Sequence, residues 1–228
     1  MTDIVALGGF DQGLEETRAI DAYTVRLTGK KRPEMLFIAN ASDDSEAYAE
    51  ATCDIYRALG CHAEPLYLLR DPEGVKKAPE RIAQADIVYV GGGNTRRMMK
   101  QWRQLGIDEC LRRAAEGPGI LTGMSAGAIC WFEDGFSNTE IKDENGSDIY
   151  ALVDGLGLLP GSLCPHFNDP PRRAFADKLA RTRGYALDNC TALHVKNGEC
   201  LALSTQAERR VYQVRPGSGL LRMPCELL

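Results

Sequence analysis

Ser125 lies in Gly123-Met124-Ser125-Ala126-Gly127, a Gly-x-Ser-x-Gly pattern set between the apolar run Gly119-Ile120-Leu121-Thr122 and the Gly-punctuated apolar run from Ala126 to Phe132. That context predicts strand, sharp turn and helix. Small flanking residues let the backbone fold tightly enough to lift a hydroxyl clear of the sheet, at the positive end of the following helix. The same turn offers the backbone N–H of Ala126 to a developing oxyanion. Serine is also a good helix N-cap, so these five residues fit a plain helix start as well as a nucleophile.

A serine hydroxyl needs a base within hydrogen-bond reach to attack at neutral pH. The chain has three histidines, His62, His166 and His194. His62 precedes an early strand and fits a structural or surface place, and His194 lies within Thr191-Ala192-Leu193-His194-Val195, where a satisfied strand histidine is expected. His166 follows a predicted strand inside Cys164-Pro165-His166-Phe167-Asn168-Asp169-Pro170-Pro171, and a proline-bracketed loop is a rigid mount for a base. An acid would fix its tautomer. Glu133, Asp134, Glu140, Asp143, Glu144, Asp148 and Asp154 all fall between Ser125 and His166, and spacing does not choose among them.

The elements that must hold these groups are legible upstream. Ile4 to Leu7, Glu34 to Ala39, Ala63 to Leu69 and Asp86 to Val90 are short apolar runs, the last of them β-branched and aromatic almost throughout. Helical spacing separates them over Leu14 to Leu27, Glu46 to Leu59, Pro79 to Gln84, Arg96 to Gln104 and Asp108 to Glu116. The alternation predicts an α/β fold with a mainly parallel sheet flanked by helices on both faces. Function in such sheets collects past the carboxyl ends of the strands, where both Gly91-Gly92-Gly93 and the serine turn fall. Residues 133–149 read as a polar loop or hairpin, Arg172 to Arg183 as a basic helix, and Tyr185 to Val214 as short strands. With no repeat and no linker, residues 1–228 are expected to form a single catalytic domain.

Gly91-Gly92-Gly93 has two readings. It lacks the Lys-Ser/Thr of a P-loop and the spaced glycines of a dinucleotide fingerprint, which weakens phosphate binding. A freely rotating backbone beside Ser125 could instead aim a second oxyanion N–H.

Together, Gly91-Gly92-Gly93-Asn94-Thr95, Gly123-Met124-Ser125-Ala126-Gly127-Ala128 and Pro165-His166-Phe167 resemble the peptidase E / cyanophycinase family of serine peptidases, in order and approximate spacing from the first strand to about residue 180. The resemblance implies a class I glutamine amidotransferase-like fold. It further implies Ser125 as nucleophile, His166 as base, and the backbone of Gly92 or Gly93 and of Ala126 as oxyanion donors. Counting forward from the serine, the family's acid falls on Glu140, with Glu133 as the alternative. The implied activity is a serine exopeptidase acting on short peptides with an N-terminal aspartate. Arg172 and Arg173 are candidates to meet the substrate carboxylate, where a planar guanidinium suits bidentate recognition. Asn94 and Thr95 complete the candidate substrate-binding residues. Rival readings are a cyanophycinase-like or isoaspartyl peptidase, an α/β-hydrolase-type esterase, and a non-catalytic binding protein on the same fold.

Composition narrows the classes. A net charge of −5, 44% hydrophobic and 26% charged residues describe a globular chain with no basic block for nucleic acid. Eight scattered cysteines without a Cys-x-x-Cys pair weaken a zinc or dithiol site. No apolar stretch nears the ~20 residues of a membrane span, and Met1 to Gly9 lacks the basic start of a signal peptide. A cytoplasmic protein needing neither metal nor organic cofactor is the expectation, with its oligomeric state open.

Overall fold

Five short apolar runs become parallel strands: β1 (Asp3–Leu7), β2 (Glu34–Ile38), β3 (His62–Leu66), β4 (Ile87–Val90) and β5 (Ile120–Met124), ordered β1-β5-β4-β2-β3. The computed structural model describes residues 3–142, 144–146, 148–174, 183–215, 217 and 219–228, with the side chains of Glu140 and Ala174 outside that description. β1, β2, β4 and β5 are buried at successive positions because both sheet faces are covered there, while the edge strand β3 keeps His62 and Glu64 exposed. Ile4, Ala6, Leu36, Ile38, Val88, Val90 and Leu121 point to one core, and Val5, Leu7, Met35, Phe37, Ile87, Tyr89 and Ile120 to the other.

Helices cover both faces. On one lie α1 (Arg18–Leu27), through Ile20, and α2 (Glu46–Ala58), through Ala49, Cys53 and Tyr56. On the other lie α3 (Pro72–Gln84), α4 (Thr95–Leu105), α5 (Ile107–Ala114) and the single turn α6 (Ala126–Ile129), with Trp102 of α4 fully buried. This is the α/β fold expected from the alternation.

After α6 the chain builds a second sheet from β6 (Phe132–Lys142), β7 (Asp148–Asp154), β8 (Leu159–Cys164) and β9 (Gly184–Leu187). It then returns to the first sheet through β10 (Thr191–Lys196), antiparallel to β1, and β11 (Glu199–Ser204). β12 (Val211–Arg215) and β13 (Gly219–Arg222) complete the second sheet, ordered β13-β12-β9-β8-β6-β7, and β14 (Cys225–Leu227) ends the first beside β11. Phe136, Cys164, Phe167, Ala186 and Val214 form a separate small core on the second sheet.

Several local expectations shift. The helix expected over Pro79 to Gln84 starts at Pro72, because Asp71 caps it by accepting from the Glu73 N–H (3.0 Å); Pro79 lies inside it. Leu14 to Leu27 opens as a 3₁₀ turn, Leu14–Thr17, before α1. The polar segment 133–149 contributes to the β6–β7 hairpin, paired from Asp134↔Asp154 to Lys142↔Asp148. The basic helix expected over 172–183 begins as a 3₁₀ turn, Pro170–Ala174, and residues 175–182 lie outside the described residues. All eight cysteines are free thiols, and among the described residues no helix is long and apolar enough to cross a membrane.

Candidate active site

Ser125 forms the turn between β5 and α6 with φ 56° and ψ −111°, a backbone conformation that L residues adopt only when their surroundings impose it. The flanking glycines are steric necessities. A Cβ on Gly123 would stand 2.3 Å from the Gly127 carbonyl oxygen, and one on Gly127 2.0 Å from that of Val90. The carbonyl of Ser125 accepts from the N–H groups of Ala128 and Ile129, both at 3.0 Å, which starts α6.

The end of β1 gathers the rest. The N–H of Ser125 donates to the Leu7 carbonyl (3.2 Å), and the N–H of His166 donates to the Gly8 carbonyl (3.0 Å). Adjacent residues of one strand end therefore hold the candidate nucleophile and the candidate base. His166, at φ 52°, leaves β8 just after Pro165, and the buried Phe167 anchors the loop, its N–H donating to Leu187 (2.8 Å). Gly9 shapes the space beside the ring: at φ 139° it would place a Cβ 2.2 Å from His166 Cε1 and 2.6 Å from Asn189 Oδ1.

The imidazole meets an amide. His166 Nδ1–H donates to Asn189 Oδ1 at 2.6 Å, since that oxygen is only an acceptor. Asn189 is buried in the turn between β9 and β10, and its Nδ2 donates to Asp11 Oδ1 at 2.7 Å. Burial, then the Arg172 guanidinium, hold the His166 pKa below its ordinary value, while the Asn189 hydrogen bond, Asp169 and Asp11 pull the other way. Neither expected carboxylate is described at Nδ1. Glu133 accepts from the Gly161 N–H (2.8 Å), and the Glu140 side chain lies outside the described residues. Sequence reasoning passes over Asn189 because Leu187-Asp188-Asn189-Cys190-Thr191 reads as an ordinary turn between strands, and over Asp11 because it lies far from both motifs.

Gly91-Gly92-Gly93 reaches the same place from β4. A Cβ on Gly92 would lie 3.4 Å from the Cβ of Ser125, so this loop adjoins the serine. The Gly92 N–H donates to the Tyr48 hydroxyl (3.1 Å), and Gly93 takes φ 143° against the Ala41 carbonyl. Asn94 caps α4, its Oδ1 accepting from the Arg97 N–H (2.7 Å). Thr95 is buried, its hydroxyl 3.1 Å from that of Ser137 on β6. Both thus have structural duties, Asn94 at the start of α4 and Thr95 between α4 and β6.

Arg172 stacks over the Tyr150 ring at 4.9 Å and donates through one terminal nitrogen to the Phe136 carbonyl (2.9 Å); its buried Nε–H has no partner among the described residues. Arg173 covers the Phe167 ring at 4.5 Å. His62 is exposed beside Glu34, and His194 is buried with one nitrogen 2.7 Å from the Tyr23 hydroxyl and the other 2.7 Å from Asp3. Asp11, Glu16 and Cys190 put metal-ligand atom types within 4.8 Å of one another. Both carboxylates are already engaged, Asp11 by Asn189 and Arg209, Glu16 by the N–H groups of Asp11 and Gln12. A cavity of about 450 Å³ bounded by Asp3, Asp86, Gly119 and Pro118 lies at the amino ends of β1, β4 and β5, the far end of the sheet from Ser125.

The model of peptidase family S51 matches residues 4–203. The chain is 32% identical over 221 residues to the uncharacterized peptidase YgaJ of Bacillus subtilis strain 168, spanning 94% of this chain and 92% of that one. It is 27% identical over 153 residues to peptidase E of Salmonella gallinarum, spanning 66% of this chain and 60% of that relative. Among solved structures, a peptidase from an acI-B1 actinobacterium matches with a TM-score of 0.74 at 18% identity, over 99% of this chain and 95% of that one. A putative peptidase E from Listeria monocytogenes EGD-e matches with a TM-score of 0.66 at 21% identity, over 90% and 100%. Likeness at those identities shows the fold, which is glutamine amidotransferase-like. By its match across residues 4–203 and its identity to YgaJ over nearly the whole chain, this protein belongs to peptidase family S51 and is a serine-type peptidase.

Proposed function

We propose that the chain is an exopeptidase that releases an N-terminal aspartate from short peptides through an acyl ester on Ser125. The observation that carries this reading is the anchoring of Ser125 and His166 to the adjacent carbonyls of Leu7 and Gly8. With Nδ1–H given to Asn189, the lone pair of His166 sits on Nε2, and in this reading that nitrogen takes the Ser125 proton. Serine Oγ then bonds to the scissile carbonyl carbon, and the oxyanion is held by the N–H groups of Ala126 and Gly93. Gly93 is preferred because the Gly92 N–H already serves Tyr48. The proton on Nε2 passes to the departing amine, and water repeats the sequence to free the aspartate. In this reading Asn189 takes the orienting place expected for Glu140 or Glu133.

Arg172 is the cation assigned to the substrate carboxylate. Its charge reaches His166, and its buried Nε–H still lacks an acceptor among the described residues. An acidic side chain entering there would meet a fixed guanidinium, with Arg173 alongside.

The test is a matched set of Asp-X, isoAsp-X, Glu-X and Ala-X dipeptides, with Ser125→Ala as control. Asp-X is expected to give the highest kcat/KM. Equal turnover of Ala-X would overturn the acidic specificity, and preference for isoAsp-X would move the assignment to the isoaspartyl class.

A further inference from the structure

An amide side chain has two ends of nearly equal shape, so only its partners decide which end faces a neighbour. At Asn189 the outcome matters. With Oδ1 toward His166, the imidazole keeps its proton on Nδ1 and a lone pair on Nε2; with Nδ2 toward it, the proton moves to Nε2 and the ring is no longer a base toward Ser125. We infer that Asp11 is a positioning residue for catalysis: it locks the Asn189 amide in the productive orientation and supplies, one hydrogen bond removed, the negative charge that a triad carboxylate would give directly. The inference rests on the reading of Ser125 and His166 proposed above.

The geometry is specific. Asp11 Oδ1 accepts from Asn189 Nδ2 at 2.7 Å and from Asn168 Nδ2 at 3.3 Å, while Asn168 Oδ1 accepts the Asn189 backbone N–H at 2.7 Å. A carboxylate is acceptor-only when ionised, so a flipped Asn189 would set two oxygens against each other. Arg209 pairs with the other oxygen of Asp11, and the backbone N–H of Asp11 donates to Glu16 at 2.8 Å, fixing the loop from both sides. Next to Asn189, the Cys190 N–H donates to the Gly9 carbonyl (2.8 Å), tying the turn to the end of β1. The charged groups acting on His166 are Arg172, which disfavours the imidazolium, and Asp169 and Asp11, which favour it. Those facing Asp11 are Arg209 and Glu16.

The test compares wild type, Asp11→Asn and the exchange Asp11→Asn/Asn189→Asp by ¹⁵N NMR of the histidine rings and by kcat/KM against pH. His194, held by Asp3 and Tyr23, reports in the same spectra that each variant is folded. Wild-type His166 is expected to be the Nδ1–H tautomer, and Asp11→Asn a mixture. That variant is expected to lose roughly tenfold or more in kcat/KM with little change in KM, and its acidic limb should move to lower pH. The exchange variant should recover most of the loss and carry its acidic limb above that of wild type. Unchanged tautomer and pH limb in folded Asp11→Asn would overturn the inference. If wild type hydrolyses no peptide, the functional reading fails, while the ring spectra still decide the role of Asp11.

Discussion

Ser125 and His166, separated in the chain by β6, β7 and β8, hang from neighbouring carbonyls of β1: Ser125 N–H on Leu7 at 3.2 Å, His166 N–H on Gly8 at 3.0 Å. The strand end thus acts as a jig. Both residues have positive φ, at 56° and 52°, and both backbones are pinned where the fold can sustain that strain.

Gly9 is where this jig presses directly on the imidazole. Gly9→Ala combines a Cβ at φ 139° with overlap on both the His166 ring and Asn189 Oδ1. Displacement of the base is expected to lower kcat/KM by ~10²-fold or more, with secondary structure by circular dichroism retained. Near-native kcat/KM in this variant would mean that the ring position is not critical.

The pH profile follows from His166. Burial and Arg172 hold its pKa below the usual histidine value, so the neutral, proton-accepting ring persists to lower pH. The acidic limb of kcat/KM is expected below about 6.5. Arg172→Gln removes a cation that disfavours the imidazolium, so its limb should move upward. A wild-type limb above the ordinary histidine range would contradict the burial of the ring.

Arg172→Gln should also report on specificity. If the guanidinium meets the substrate carboxylate, kcat/KM for Asp-X should fall by about 10- to 100-fold, the scale of one charge-assisted hydrogen bond. Turnover of Ala-X should change far less. Equal losses on both substrates would reassign Arg172 to packing against Tyr150.

Stability has its own titrating group. Asp21, buried beneath α2 with Tyr56 and Thr17 donating to it, has its pKa pushed up to about 7 from 3.8, chiefly by burial. Below 3.8 folded and unfolded chains both carry its proton; as pH rises toward 7 the unfolded chain ionises first, and stability is lost. Wild type is expected to lose on the order of a few kcal/mol from this group between pH 4 and pH 8, and Asp21→Asn to lose much less. Thermal melts of the two proteins across that range check it, and parallel curves would contradict it.

Much of this was readable in the residues. The alternation of apolar runs with helical spacing gives the parallel sheet, because strands buried on both faces must be apolar throughout. The serine turn is legible because Gly123 and Gly127 have no room for a Cβ. The hairpin and short strands of the second sheet were partly legible, but their assembly into one sheet was not, since the pairing of β6, β8 and β9 is set by long-range register rather than local pattern. Asn189 and Asp11 were hidden for a related reason: a hydrogen-bonded chain running from position 166 to 189 to 11 leaves no spacing in the sequence. The α3 start was missed because Pro79 drew the boundary that Asp71 and Pro72 set.

The most direct measurement is kcat/KM for an Asp-X dipeptide by wild type and by Ser125→Ala, with both proteins verified as folded by circular dichroism. Loss of the hydroxyl is expected to remove essentially all activity, by ~10³-fold or more. Hydrolysis by Ser125→Ala within about tenfold of wild type would show that the acyl ester on Ser125 is not the route of this peptidase.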